Sequence, residues 1–430
     1  MGTDRRQFLT GIAAAGLGGE LVLRARGRPL SDARRLPPGL PGVDYRPVEV
    51  LDGGKVPWKV VNGRKVFHLV AGPVEHEFAP GMKASCWGYN GRVHASTIEA
   101  VEGDRVRIYV TNRLDVATSV HWHGVLLPNG MDGVAGLTQR QIEPGETFLY
   151  EFTLRQHGTF MFHSHHDEMV QMAMGLMGMF VVHPRAPQGP LPDRDFVYMV
   201  GEWSLKPGAR RPDPNEMTDF NVLTLNGRVF PGTSAMVVRT GERVRIRIGN
   251  LSAMDHHPMH IHGHSFQVIE TDGGVIPESA RWPETTVLVA TGSTRTIEFV
   301  ADAPGDWPFH CHMTHHVMTQ MGHGIPNLIG LEPGTFDARL TEVLPEYALM
   351  GHDAMDPSTE DTTLPPNSMP MMGGPGGFGY ITMGGMFSVL KVRDGITSYD
   401  DPGWYEHPPG TLADAAPAAV MREDGIDAGG

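Results

Sequence analysis

Eight histidines of this 430-residue chain fall into four His-x-His pairs, within the stretches HWHG at 121, HSHH at 163, HHPMHIHGH at 256 and HCHMTHH at 310. In an extended strand, residues two apart point to the same face. Each pair therefore delivers two imidazoles in one direction and sends its middle residue in the other. Neutral imidazole is a good ligand for copper, zinc and iron, so the four pairs predict a metal centre where their faces meet. In the last pair the middle residue is Cys311. Its sulfur must turn away from the shared histidine face into its own domain, where a second, separate metal is expected.

An internal repeat sets the elements that must position these pairs. Residues 88–124 recur in weaker form at 224–263: Asn90-Gly91-Arg92-Val93 matches Asn226-Gly227-Arg228-Val229, and the run 103–108 matches 241–246. Further on, HGTFMFHSH at 157–165 pairs with PGDWPFHCH at 304–312. Self-similarity of this kind means two copies of one domain. Within the copies, DRVRIYV and ERVRIRI alternate polar with apolar residues, the pattern of a strand with one face on a core, and turns such as EPGET separate further strands. The expected fold is all-β, two antiparallel β-sandwich domains over 44–185 and 195–393. They are joined through the proline-dense HPRAPQGPLPDRD at 183–195.

A formal net charge of −14 argues against a nucleic-acid partner, which would need clustered Lys and Arg. Cys86 and Cys311 are the only cysteines, so the fold cannot depend on disulfides, and a metal-bound Cys311 leaves Cys86 without a partner. The N-terminal DRRQFLTGIAAAGLGG resembles a twin-arginine export signal, and its apolar stretch is too short and glycine-rich to span a bilayer. These features predict a signal segment over 1–25, a periplasmic or secreted protein, and no membrane partner.

Taken together, the four histidine stretches resemble the copper signatures of the multicopper oxidases, in their small two-domain laccase-like form. The resemblance covers about residues 85–325 and a closing strand at 384–393. It implies two cupredoxin-like Greek-key domains and copper as cofactor, four ions per active unit. Carried over residue by residue, it makes His257, Cys311, His316 and axial Met321 the type 1 ligands, with His121 and His260 on the type 2 copper. His123, His163 and His312 would bind one type 3 copper, and His165, His262 and His310 the other. The family spacing selects His316 over His315 and His257 over His256. Coordination chemistry agrees, because two imidazoles, a thiolate and a weak thioether form the electron-transfer copper set. In the first copy the positions equivalent to the type 1 ligands are Thr118, Ser164, Met169 and Met174. That is the reverse of what a resemblance to two-domain copper nitrite reductases would require.

The resemblance further implies that electrons enter at the type 1 copper and leave through Cys311 toward its neighbours His310 and His312, while Asp132 relays protons. The resemblance to two-domain relatives also implies that a cluster drawing on both domains lies between subunits of a homotrimer. The implied activity is one-electron oxidation of phenols or aromatic amines coupled to reduction of dioxygen to water. A rival comes from the insertion at 322–383, which carries Met350, Met355, Met369, Met371, Met372 and Met383. Thioethers suit cuprous ion, so oxidation of cuprous or another metal ion in copper tolerance is the second reading, and a non-enzymatic periplasmic copper-binding protein the third. The tail over 394–430 reads as extended.

Overall fold

A computed structural model describes residues 36–320 except 95, 187–188 and 207, together with 342–343, 367, 369 and 373–426. The expected export signal, Met321 and most of the methionine-rich insertion lie outside the described residues. Among the described residues no helix is long and apolar enough to cross a membrane.

The chain forms two β-sandwiches in sequence. In the first, one sheet orders Gly54–Lys55, Ser96–Val101, Met177–His183 and Gly158–His163. The other orders Trp58–Val61, Arg64–Ala79, Arg105–Asn112 and Thr147–Thr153, with Met82–Tyr89 also paired to Arg64–Ala79. In the second sandwich, one sheet is built around Arg194–Trp203, Arg243–Asn250, Ser293–Val300 and Phe266–Thr271. The facing sheet orders Met236–Arg239, Phe387–Arg393, Gly305–Cys311, His257–Ile261 and Thr286–Val289.

Alternation explains the cores. Val106, Ile108 and Val110 of one strand, and Val244, Ile246 and Ile248 of its repeat, are fully buried in separate apolar clusters. The repeat holds in hydrogen bonding too. Gly158–His163 runs antiparallel to Met177–His183, and Gly305–Cys311 runs antiparallel to Phe387–Arg393. These closing strands then pair in parallel with Ser96–Val101 and Met236–Arg239. The sheets are therefore mixed, not antiparallel throughout as alternation suggested. Strands joined by long crossing connections come to lie side by side in the same direction, which alternation within a strand does not encode.

A third cluster packs residues of the two sandwiches together: Met161, Met177 and Met179 with Val197, Met199 and Leu251. Beside it the buried Arg247 pairs with Asp195 and Glu270 and donates to Thr159 Oγ1, in a strand of the first sandwich, at 2.8 Å. A buried guanidinium is tolerated only with its donors occupied, so this contact fixes how the sandwiches face each other.

Candidate metal centres

The middle residues of the four His-x-His pairs, Trp122, Ser164, Ile261 and Cys311, are all buried, as strand alternation requires. Pairing across strands doubles each set. His121 bridges to His163, and His260 stands opposite His310. In the first sandwich the His121 ring lies 5.7, 5.3 and 5.4 Å from those of His123, His163 and His165. In the second, the His260 ring lies 4.7, 5.6 and 5.4 Å from those of His262, His310 and His312. Among the described residues no ring contact joins one quartet to the other.

The hydrogen bond on one ring nitrogen decides which nitrogen is left to bind metal. His121 Nδ1 bonds the Asp132 carbonyl at 2.9 Å, His163 Nδ1 that of Ser164 at 2.8 Å, His260 Nδ1 that of Thr285 at 2.6 Å and His310 Nδ1 that of Cys311 at 2.8 Å. Those four rings therefore offer Nε2. His123 is reversed: Nε2 bonds the Gly292 carbonyl at 2.9 Å, leaving Nδ1 3.3 Å from His163 Nε2. Burial lowers His163 to about 3 and His310 to about 4, so these imidazoles are neutral and their lone pairs available.

Cys311 builds the other centre. Its Sγ lies 3.4 Å from His316 Nδ1 and 3.7 Å from His257 Nδ1, and those two nitrogens are 3.2 Å apart. All three side chains are buried, whereas the adjacent His256 and His315 are exposed. The outer nitrogens are held as well: His257 Nε2 by Ser252 Oγ at 2.9 Å, and His316 Nε2 by Asp255 Oδ2 at 3.3 Å. Burial pushes the Cys311 thiol up to about 12 and the His257 imidazole down to about 3. The thiol thus keeps its proton until a metal displaces it.

The corresponding place in the first sandwich is filled by hydroxyls. Thr118 Oγ1 and Ser164 Oγ both donate to Gln171 Oε1, at 2.7 and 2.6 Å, and Gln171 Nε2 donates to the Ala117 carbonyl at 2.7 Å. Among the described residues no sulfur or imidazole enters that network.

Asp132 stands at the first quartet, with Oδ1 3.4 Å from His121 Nδ1. Sequence reasoning missed Glu168, whose oxygens lie 3.6 Å from His163 Nδ1 and 3.8 Å from His165 Nδ1. It also missed Ser252 and Asp255. Both sit in the turn SAMD before the HHPMHIHG stretch, where polar residues are ordinary turn composition.

Residues 71–187 and 206–328 match two family models, each described as multicopper oxidase. The chain is similar to copper resistance protein A of Pseudomonas syringae pv. tomato, 28% identical over 319 residues, covering 63% of this chain and 48% of the relative. It is similar also to laccase-2 of Cryptococcus neoformans var. grubii, 33% identical over 234 residues, covering 46% of this chain and 38% of the relative. The chain spans about half the length or less of these curated relatives. Among solved structures, the blue copper oxidase of Nitrosomonas europaea superposes with a TM-score of 0.55 at 24% identity, over 76% of this chain and 85% of that one. Another multicopper oxidase crystal structure gives 0.52 at 29% identity, over 62% and 90%.

Proposed function

This chain belongs to the multicopper oxidase family, and on that premise we propose that it reduces dioxygen with electrons taken singly from phenols or aromatic amines. The observation that carries the reading is Cys311. Its thiol converges with two imidazoles in one core, while its peptide neighbours His310 and His312 belong to a histidine quartet on the opposite face.

The donor atoms suit copper. Cys311, His257 and His316 would hold the type 1 ion through a thiol and two freed Nδ1 atoms, and the family pattern would add Met321 as a weak thioether ligand. His121 and His260 would hold the type 2 ion, and His123, His163, His165, His262, His310 and His312 the type 3 pair. Copper bound in these places would supply one-electron redox chemistry and the site of dioxygen reduction. The chain contributes the rest. Asp132 and Glu168 hold carboxylates within 4 Å of the first quartet, where protons are needed. The peptide bonds on either side of Cys311 join the buried sulfur to the quartet through a few covalent links.

Among the described residues no ring contact joins the quartets within one chain, so we propose that the complete set forms between neighbouring copies in a ring, as a trimer. Cuprous-ion oxidation remains the second reading, favoured by the likeness to copper resistance protein A. Export through the twin-arginine signal completes the proposal, to be checked by sequencing the N-terminus of the mature protein.

The test is the copper-loaded protein. We expect a strong blue absorption and dioxygen uptake on adding a phenol, with no hydrogen peroxide released. A colourless protein, or peroxide as the product, would overturn the reading. A preference for cuprous ion over every phenol tried would select the second.

A further inference from the structure

His94 follows the Asn90-Gly91-Arg92-Val93 turn, and in the second copy of that turn its place is taken by Phe230. The two turns match in backbone, with φ of 53° and 75° at Asn90 and Gly91, and 50° and 76° at Asn226 and Gly227. His94 itself adopts φ 58°, a region that residues other than glycine rarely enter. It is 1% exposed, and among the described residues neither ring nitrogen has a hydrogen-bond partner. One face stacks on Trp203 at 4.7 Å. Against the ring stands Gly201, where an added Cβ would come within 2.5 Å of His94 Cε1. The chain has made room for an imidazole and provided nothing for it to bond, although buried polar groups are almost always paired.

His94 lines a cavity of about 510 Å³ between the two sandwiches. Met172, Met177, Met217 and Met254 line it too, as does Glu202. We propose that His94 and these thioethers form a binding site for cuprous ion, distinct from the histidine quartets and the Cys311 centre. Imidazole and thioether are the soft donors that select this ion. Burial and His76 lower His94 to about 3, which keeps the lone pair free, and burial raises Glu202 to about 8, so neither of these two groups is charged near neutrality. The exposed Glu168 also borders the cavity, where its charge attracts cations. The first quartet shares this cavity, so the site would hold copper beside imidazoles that receive it. The assignment stands independently of the substrate proposed above.

Silver ion, a redox-silent match for cuprous ion, is the probe, titrated into fully copper-loaded protein. Wild type should take up one silver ion more than His94→Phe, with equal blue absorption in both. Equal uptake overturns the site. If His94→Phe does not fold, the double change Met217→Leu with Met254→Leu decides, because both side chains are more than half exposed. It should weaken silver binding roughly ten-fold or more, the usual scale for losing part of a metal environment. Unchanged affinity overturns the site.

Discussion

Asp255 Oδ2 stands 3.3 Å from His316 Nε2, on the side of the ring opposite the Cys311 sulfur. A carboxylate in that position fixes the ring and makes its inner nitrogen a better donor. Asp255→Asn should therefore weaken copper at the thiolate centre by roughly 10–100-fold and shift its visible band, with the quartets unaffected. Copper titration followed at the blue absorption checks this, and an unshifted band with unchanged affinity would refute it.

Cys311→Ser removes the one sulfur that converges with His257 and His316. The blue absorption should vanish, and turnover of a phenol should fall to background. Because His310 and His312 remain, copper in the quartets should persist by metal analysis. Residual blue colour would show that the colour arises elsewhere.

Asp132 lies beside His121, so Asp132→Asn should slow dioxygen reduction by roughly 10² or more, the scale of a lost proton donor or acceptor. The KM for the reductant should stay as it was. Stopped-flow reoxidation of the reduced protein separates the two, and unchanged reoxidation removes the proton role.

Variants at His163 and at His310, each inactive alone, test whether the quartets meet between copies. When the two are mixed and reassembled in equal amounts, half of the first quartets and half of the second are intact. About one quarter of the inter-subunit sites should then recover activity. A site confined to single chains would recover none.

Trp122 separates His121 from His123 and is fully buried among Tyr150, Phe152 and Phe162. Trp122→Ala should cost about 3–5 kcal/mol, read by urea unfolding, and should loosen copper in the first quartet at the same time.

The metal-free protein should lose stability in acid because of His94. Its folded value of about 3 lies below the ordinary 6.5, so between these the unfolded chain binds a proton that the folded chain refuses. The stability is present above about pH 6.5 and is lost as pH falls toward the folded value, at about 1.4 kcal/mol per pH unit for one such group. Unfolding curves between about pH 6 and pH 4 should be flatter in His94→Phe by that amount. Equal slopes would show that His94 accepts a proton in the folded state.

Much of the site is written in short-range pattern. The period-two geometry of a strand dictates that His121 and His123 share a face and that Trp122 leaves it, and the same rule turns Cys311 away from His310 and His312. The repeat of Asn-Gly-Arg-Val and of the two Gly-x-x-x-Phe-His runs declares two like sandwiches without any knowledge of contacts. What tertiary structure alone decided involves groups brought together across long stretches of chain. Gly292 turns His123 to offer Nδ1, Gln171 closes the hydroxyl network in the first sandwich, and Gly201 leaves the space that His94 fills. Those contacts depend on how crossing connections lay parallel strands together and on how Arg247 locks one sandwich to the other. Local periodicity carries no record of either.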